Sequence, residues 1–306
     1  MRLGINDYKK LNNSTCGAEP KVWIEYNNQK YLVKFPKLKD NVETDSVKSE
    51  HLASSFINLA GGKSHKTSYI ENFEISEGEF KEAVLCKDLI SEYRYDRMVT
   101  FKENTSSIST DIKKHDYFVS DIIYIFKHIH NIDFEEVKND FWEMIIFDAI
   151  LGNTDRHSGN WSIFYKNGKR GLTPIYDNAA SLLPRAMRMI DGNEYEWLKT
   201  RTLVFPNSKI MLDNKEHRKE RISYIKLINS RLIPEKLLNK YKNLDIDYIL
   251  NKLKENNDWL SKKDWLFYYK IIKLRYLVII KGIDFDTAYN LINISTGDKL
   301  NNLSWN

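Results

Sequence analysis

Residues 152–160 read GNTDRHSGN, and residues 174–177 read PIYD. A hairpin is predicted between them, because residues 161–165 and 172–176 are short apolar stretches around the turn residues 166–169. A polar loop, a hairpin and an aspartate therefore follow one another here, and they form the most informative stretch of the sequence.

This stretch offers the three side chains that phosphoryl transfer requires. The reaction needs a carboxylate to accept the proton of the attacking hydroxyl, an amide oxygen for Mg²⁺, and a second carboxylate between Mg²⁺ and the phosphates. Asp155, Asn160 and Asp177 supply them, and the step from Asp155 to Asn160 equals that of the kinase catalytic loop. Any one of them alone would indicate an ordinary turn, but the three together favour catalysis. His157 either orients Asp155, donates to the γ-phosphate, or is a hydrogen-bonded loop residue.

The first third of the chain is predicted to be rich in strands. β-Branched and aromatic residues are concentrated in short runs, and one stretch has helical spacing before Gly61-Gly62. Strands are predicted at residues 21–26, 30–35, about 67–73 and 82–89, and a helix at residues 44–60.

A phosphate-binding lysine and its partner are expected in this region. Lys34 lies inside an apolar strand, and Glu50 shares a helix face with Val47 and Ala53, so its carboxylate points inward. Because a buried unpaired carboxylate is costly, Glu50 needs a cation, and Lys34 is the predicted one. Glu43 is the alternative partner of Lys34.

Phosphates also need backbone amides, and residues 13–18 (NSTCGA) are the candidate loop. The loop has one glycine and does not fit the G-x-G-x-x-G pattern. Gly62-Lys63-Ser64 looks like half of a Walker A motif, but Ile57 stands at the first glycine position and a helix precedes it, so we reject this interpretation.

The rest of the chain is predicted to be helical around the hairpin. Amphipathic runs cover residues 117–130, 134–151, 246–259 and 263–280, with loops expected at residues 102–110 and 183–214. The predicted fold is therefore α+β and two-lobed. Residues 1–89 would form a β-rich, nucleotide-binding N-lobe, and residues 90–306 a helical C-lobe with the catalytic loop and metal-binding hairpin.

The composition of the chain excludes several classes of protein. The chain has 306 residues, a mean hydropathy of −0.53 and no apolar run near the roughly 20 residues that cross a bilayer, so we expect no membrane segment. Residues 1–10 lack the apolar segment of a signal peptide. Cys16 and Cys86 are too few for a disulfide framework or a four-ligand zinc site, and a cytoplasmic location is predicted.

The net charge of +5 is smaller than the concentrated positive charge expected of a dedicated nucleic-acid-binding protein. One basic run is predicted to be a solvated helix face, with docking of an acidic or RNA-bound substrate as the alternative. Its members are Lys209, Lys215, His217, Arg218, Lys219 and Arg221.

Together these motifs resemble the HipA-like serine/threonine kinases, bacterial toxins with a distant protein-kinase fold. The stretch from Asp155 to Asn160 matches that family's D-x-H-x-x-N loop, and Tyr176-Asp177 replaces Asp-Phe-Gly. Residues 17–21 (GAEPK) are similar to its Gly-Ala-x-Pro-Lys segment, although Glu19 stands where Arg or Gln is usual and brings negative charge near the nucleotide. The chain looks like a short stand-alone member.

The resemblance implies an ATP- and Mg²⁺-dependent kinase that phosphorylates a cellular protein, such as an aminoacyl-tRNA synthetase, and also phosphorylates itself. Asp155 would be the catalytic base and Lys34 the ATP lysine, with His157 beside them, and Asn160 and Asp177 would bind the metal. The resemblance and the motifs together predict a nucleotide site of Ser14, Thr15, Gly17, Ala18, Lys21, Lys34 and Glu50. Autophosphorylation is predicted at Ser14 or Thr15, with Ser181 next. A HipB-like antitoxin is the expected partner, and nucleic acid would be reached only indirectly, through the antitoxin or the substrate.

Two other functions stay open at this point. Small-molecule and lipid kinases use similar Asp-x-His-x-x-Asn or Asp-x-x-x-x-Asn loops. The second function is that of a nucleotide-binding pseudokinase, which would repress transcription together with an antitoxin. It stays open because Glu19 and the sparse glycines would weaken ATP binding.

Overall fold

The computed structural model describes residues 1–12, 20–106, 118–183, 193–204, 207–212 and 222–296. Within these residues the chain forms a sheet-rich first part and a helical second part, so the predicted α+β class is confirmed. The division at residue 89 stays a prediction.

The first part is built on a six-stranded sheet and one long helix. The elements of this part are β1 (Arg2–Leu3), β2 (Lys9–Lys10), β3 (Lys21–Tyr26), β4 (Gln29–Lys34), β5 (Leu38–Lys39), β6 (Val42–Glu43), α1 (Ser46–Leu59), β7 (Thr67–Ser76) and β8 (Glu79–Lys87). The strand order of the sheet is β1-β7-β8-β4-β3-β2, with β1 and β7 parallel and the other pairs antiparallel.

Both faces of the sheet carry buried apolar residues, because the apolar residues alternate along its strands. Val33 and Ile24 belong to a cluster on one face, whereas Val84 and Cys86 pack with Val47 of α1 on the other. Lys34 follows Val33 in β4 and therefore points to the α1 side of the sheet.

The second part surrounds α5. Its elements are α2 (Leu89–Tyr93), β9 (Arg97–Thr100), α3 (Phe101–Ser106), α4 (Val119–His128), α5 (Phe134–Leu151), β10 (Ser162–Lys166), β11 (Lys169–Leu172), α6 (Glu194–Leu203), α7 (Tyr224–Ile228), α8 (Glu235–Lys242), α9 (Ile246–Glu255), α10 (Lys262–Arg275), a π-helical turn (Tyr276–Ile280) and α11 (Phe285–Thr296). None of the helices in the described ranges is long and apolar enough to cross a bilayer.

Helix α5 positions the predicted catalytic loop. Almost every side chain from Phe141 to Leu151 is buried, as expected of a helix at the centre of a core. Asp133 caps its N-terminus by accepting from the Glu136 N–H, and Gly152 ends it in the left-handed conformation at φ +70°. The loop that begins after Gly152 therefore starts from a fixed point.

Helix α1 belongs to the helical core as well as to the sheet. Leu52, Phe56 and Ile57 are fully buried in the large cluster around α5, and the Phe56 ring meets Phe147 edge-on. The helix that carries Glu50 is thus packed against both parts of the molecule.

Several expected elements are wrong. The second hairpin strand is Lys169–Leu172 rather than residues 172–176, because Asn167 and Gly168 form a two-residue turn that pairs Lys166 with Lys169. The expected loops at 102–110 and 183–214 contain parts of α3 and the whole of α6.

Candidate active site

Lys34 joins two carboxylates, one from helix α1 and one from the segment after the hairpin. Its Nζ lies 2.8 Å from Glu50 Oε2 and 2.8 Å from Asp177 Oδ1. Lys34 and Glu50 are buried, while the Asp177 side chain is 28% exposed. The predicted contact between Lys34 and Glu50 is present, and the structure adds Asp177 to it.

Glu50 is fixed by three donors. Besides Lys34, His65 Nε2 lies 2.9 Å from its Oε1, and the Asn178 backbone N–H donates to the same oxygen at 2.9 Å. Burial alone would raise the pKa of Glu50, but the charge of Lys34 and the hydrogen bonds from His65 and Lys34 hold that pKa below its ordinary value. The carboxylate is therefore ionised and locked in place at neutral pH.

Asp177 has a left-handed backbone with φ +60°, a conformation that aspartate adopts more readily than most residues. Burial opposes its ionisation, yet the charge of Lys34 keeps the pKa of Asp177 below its usual value. This aspartate therefore presents a partly exposed, negatively charged carboxylate.

The predicted catalytic loop has its own internal bonds. The Asp155 N–H donates to Asn153 Oδ1 at 2.9 Å, and the Asn160 side-chain amide donates to the Asp155 carbonyl at 2.8 Å. The Asp155 carboxylate is 41% exposed. His157 is exposed, and its Nδ1 accepts from the Gly159 N–H at 3.0 Å. The loop thus directs Asp155 outward while its backbone is held.

Arg156 ties the catalytic loop to the segment that carries Asp177. Its guanidinium is fully buried and bonds both carboxylate oxygens of Asp148 at 2.9 and 3.0 Å. It also donates to the carbonyls of Asn160 and Tyr176 and to Asn178 Oδ1. Burial disfavours the charge, but Asp148 raises the pKa of Arg156 above its ordinary value. One side chain therefore sets the distance between the two predicted metal ligands.

The remaining predicted site residues fall in different places. Ser14, Thr15, Gly17 and Ala18, with Cys16 and Glu19, lie outside the described residues. Lys21 pairs directly with Lys34 across β3 and β4, so both side chains lie on the same face of the sheet. The Ser181 side chain is fully buried, and its backbone N–H donates to the Asn178 carbonyl.

Lys209, the member of the basic run that lies in the described residues, differs from its prediction. Lys209 lies in a short non-helical segment, residues 207–212, rather than on a solvated helix face, and its Nζ is 3.6 Å from Asp155 Oδ1. Lys215, His217, Arg218, Lys219 and Arg221 lie outside the described residues.

Sequence reasoning missed three residues that hold this site, namely Arg156, His65 and Asn178, and it did not predict that Lys209 of the basic run lies beside Asp155. Arg156 and Asn178 adjoin Asp155 and Asp177, so their position was a signal that could have been used. His65 and Lys209 carry no local signal, because their contacts join segments that are distant in sequence.

The side-chain oxygens of Asn160 and Asp177 are suitable ligands for a divalent cation. Asn160 donates its amide N–H to Asp155, which leaves the amide oxygen for a cation, and Asp177 adds a carboxylate. Oxygen ligands of this kind suit Mg²⁺, so the residues fit it. Glu50, His65 and Cys86 also cluster within 4.8 Å, but the Glu50 oxygens are already bonded to Lys34, His65 and the Asn178 N–H.

A buried Lys–Glu pair, a D-x-x-x-x-N loop and an aspartate after a hairpin define the protein-kinase class. The family described as "HipA-like C-terminal domain" matches residues 13–228. The chain therefore belongs to the HipA-like C-terminal domain family.

The relatives agree with this assignment. The chain is 26% identical over 251 residues to the serine/threonine-protein kinase CtkA of Helicobacter pylori strain J99, a match that covers 79% of this chain and 74% of CtkA. The chain is thus a protein kinase of the HipA-like type, as the sequence predicted.

Two solved structures share the fold. The crystal structure of the Helicobacter pylori proinflammatory kinase CtkA matches with a TM-score of 0.74 and 24% identity, over 95% of this chain and 98% of that one. HipA of Shewanella oneidensis MR-1, solved with HipB and operator DNA, matches with a TM-score of 0.51 and 13% identity, over 91% and 67% of the two chains. The two-lobed, kinase-like architecture is therefore confirmed.

Proposed function

We propose that this chain transfers the γ-phosphoryl group of ATP to a serine or threonine hydroxyl of a protein. The observation that carries the proposal is the position of Lys34, which lies 2.8 Å from both Glu50 and Asp177. In protein kinases this lysine must be paired with a helix glutamate before transfer can occur. The pair is assembled here, next to a loop with the required Asp and Asn.

The roles of the side chains follow from their contacts. Lys34 would bind the phosphates, and Glu50 keeps its ammonium in place through the bond at 2.8 Å. Asp155 would orient the acceptor hydroxyl and take its proton, because its carboxylate faces outward. Asn160 and Asp177 would hold Mg²⁺, which when bound neutralises charge on the phosphates.

A protein acceptor is favoured by the relatives. CtkA carries the name serine/threonine-protein kinase. By the resemblance, a cytoplasmic toxin role and an aminoacyl-tRNA synthetase as target are part of the proposal. The HipA of Shewanella oneidensis was solved with HipB and operator DNA, which supports a HipB-like antitoxin as partner.

Autophosphorylation can be measured without knowing the protein substrate. Ser14 and Thr15 remain the proposed sites. Ser181 is buried, so transfer to its hydroxyl requires the segment around it to open first. We therefore expect phosphate at Ser181, if any, to appear later than phosphate at Ser14 or Thr15.

Asp155→Asn tests the proposal. We expect intact-mass and peptide mass spectrometry to show a phosphoryl gain in the wild type after incubation with Mg²⁺-ATP and at least a 100-fold slower gain in the variant. ATP binding should be kept, because Lys34 and Asp177 are unchanged. Asp258→Asn is the matched control, since Asp258 is exposed and distant in sequence from the loop.

The outcomes separate the alternatives. Equal phosphoryl gain in the wild type and Asp155→Asn would refute the assigned base. ATP binding without transfer to the chain or to a generic protein acceptor, in the wild type as well, would favour the pseudokinase. Turnover only with aminoglycosides or inositol lipids would identify a small-molecule or lipid kinase.

A further inference from the structure

Lys209 faces the predicted catalytic base from a distant part of the chain. Its Nζ lies 3.6 Å from Asp155 Oδ1, and this is the one ion pair of Asp155 in the part of the chain that the structure describes. The Lys209 side chain is 27% exposed and that of Asp155 is 41% exposed. Both groups are therefore open to a molecule that enters the cleft.

The backbone that carries Lys209 is anchored on both sides. Ser208 is fully buried, and its N–H donates to the Ile222 carbonyl at 2.9 Å. Ile210 and Met211 are buried, and the Met211 carbonyl accepts from the Val119 N–H at 2.9 Å. Lys209 is thus a half-buried lysine between buried neighbours, not a member of a solvated helix face.

The same region anchors the catalytic loop. The Tyr224 hydroxyl donates to the Asn153 carbonyl at 2.7 Å, and Asn153 accepts the Asp155 N–H through its side chain. Tyr224 begins α7, two residues after Ile222, whose carbonyl accepts the Ser208 N–H. The lysine and the aspartate are therefore positioned by one continuous set of buried contacts.

Arg156 of the loop and Lys34 of β4 are both committed to other contacts. Arg156 is fully buried, and its guanidinium is bonded to Asp148 and Asn178. Lys34 is paired with Glu50 and Asp177 on the nucleotide side. During transfer, charge spreads over the non-bridging oxygens of the phosphoryl group, and a fixed cation at the acceptor side stabilises it.

We propose that Lys209 is a catalytic residue that contacts the γ-phosphoryl group as it passes to the hydroxyl held by Asp155. The inference rests on the proposed function. The acceptor oxygen forms the new bond to phosphorus, the bond from phosphorus to the oxygen of ADP breaks, and that oxygen keeps the electron pair. The proton goes to Asp155. Lys209 donates hydrogen bonds to a non-bridging oxygen and is not consumed.

Lys209→Met removes the charge and keeps most of the side-chain length. We expect kcat for phosphorylation of the chain itself, or of myelin basic protein as a generic acceptor, to fall about 100-fold. The KM for ATP should change less than threefold, because the contact forms in the transition state. Lys209→Arg should recover part of kcat. Lys226→Met is the matched control, since Lys226 is exposed on α7.

A binding measurement separates this role from a purely structural one. ADP with aluminium fluoride and Mg²⁺ imitates the transferring phosphoryl group, so its affinity should fall in Lys209→Met by a factor close to the loss in kcat. The affinity for ADP alone should stay unchanged. Equal weakening of both ligands would overturn the inference and indicate a distorted cleft.

The kinetic outcomes distinguish the two proposals. If the wild type transfers phosphate and Lys209→Met is equally fast, the inference falls and the proposed function stands. A faster Lys209→Met would also overturn it, because the lysine would then be blocking the base. If the wild type and Asp155→Asn are both inactive towards every acceptor, the proposed function fails and the inference fails with it.

Discussion

Trp259 stacks on Tyr69, with ring centroids 3.9 Å apart and planes 26° apart. Tyr69 belongs to β7 of the sheet, whereas Trp259 lies in the turn between α9 and α10. In the same turn, the Asn257 side chain lies 2.9 Å from His51 Nε2 of α1. This turn therefore fastens the helical part of the molecule to the sheet and to the helix that carries Glu50.

Trp259→Ala tests this fastening. We expect the free energy of unfolding to fall by about 2 kcal/mol, because a half-buried aromatic contact is lost. Trp259→Phe should lose less than half of the free energy of unfolding that Trp259→Ala loses. Chemical denaturation measures both, with Tyr248→Ala as the control, since Tyr248 is an exposed aromatic residue of α9. A loss in Trp259→Ala no larger than in the control would contradict the role of the stack.

His51 predicts a pH dependence of stability. Burial, with a smaller contribution from the charge of His65, lowers the pKa of His51 from 6.5 to about 4, although the hydrogen bond with Asn257 acts in the opposite direction. Between pH 4 and pH 6.5 the unfolded chain therefore binds more protons at this residue than the folded one does. The stabilisation is complete above pH 6.5 and is lost as the pH falls towards 4, by roughly 3 kcal/mol in total.

The measurement is the free energy of unfolding at several pH values. His51→Gln should be less stable at pH 7 but should show a flatter dependence between pH 6.5 and 4. His130→Gln, at an exposed position, should keep the slope of the wild type. Parallel slopes in the wild type and His51→Gln would show that another group titrates.

Gly152 and Gly168 form a matched pair of glycines. Both have positive φ, +70° and +78°, but a Cβ at Gly152 would lie 2.2 Å from the Arg275 guanidinium, whereas at Gly168 it would meet open space. Arg275 is fully buried and donates to the Leu151 carbonyl at 2.8 Å. We expect Gly168→Ala to cost about 1 kcal/mol of stability from the backbone alone.

Gly152→Ala should lower the free energy of unfolding by at least about 2 kcal/mol more than Gly168→Ala, because the buried, hydrogen-bonded side chain of Arg275 must move. The difference between the two variants in the melting temperature, measured in one experiment, isolates the contact with Arg275. Equal losses would mean that Arg275 adapts freely.

Arg156→Lys tests the link between the two predicted metal-binding segments. A lysine cannot reproduce the planar set of donors to Asp148, Asn160, Tyr176 and Asn178. We expect a loss of about 3 kcal/mol in the free energy of unfolding, since buried acceptors lose their partner. Phosphoryl transfer should fall even under conditions where the variant is folded.

Circular dichroism and transfer rates, measured together, check this prediction. Arg94→Lys is the control, because Arg94 is exposed and ends α2. A folded Arg156→Lys variant with wild-type transfer would show that the guanidinium serves stability alone.

The sequence predicted those features that short-range patterns determine. Helix α5 has the bounds expected from its periodicity, residues 134–151, and β3 follows its β-branched and aromatic residues. The Lys34–Glu50 contact followed from an inward-facing carboxylate that needed a cation.

Other features depend on contacts that no local pattern records. Residues 174–177 leave the hairpin because Ile175 forms a bridge with Ser64 and its N–H donates to the Lys63 carbonyl. Lys209 approaches Asp155 because Ser208 and Ile210 are buried beside other elements. Such positions depend on tertiary packing, which overrides the local preference for a helix or a strand.

The double packing of α1 has a consequence for regulation. Many protein kinases are switched off by moving the helix glutamate away from its lysine. Here that motion would pull Leu52, Phe56 and Ile57, with their buried neighbours, out of the helical core. At about 1.5 to 3 kcal/mol for each side chain, the cost approaches the whole stability of an ordinary domain. We expect this enzyme to lack an off state of that kind, so that restraint comes from molecules that cover or enter the cleft.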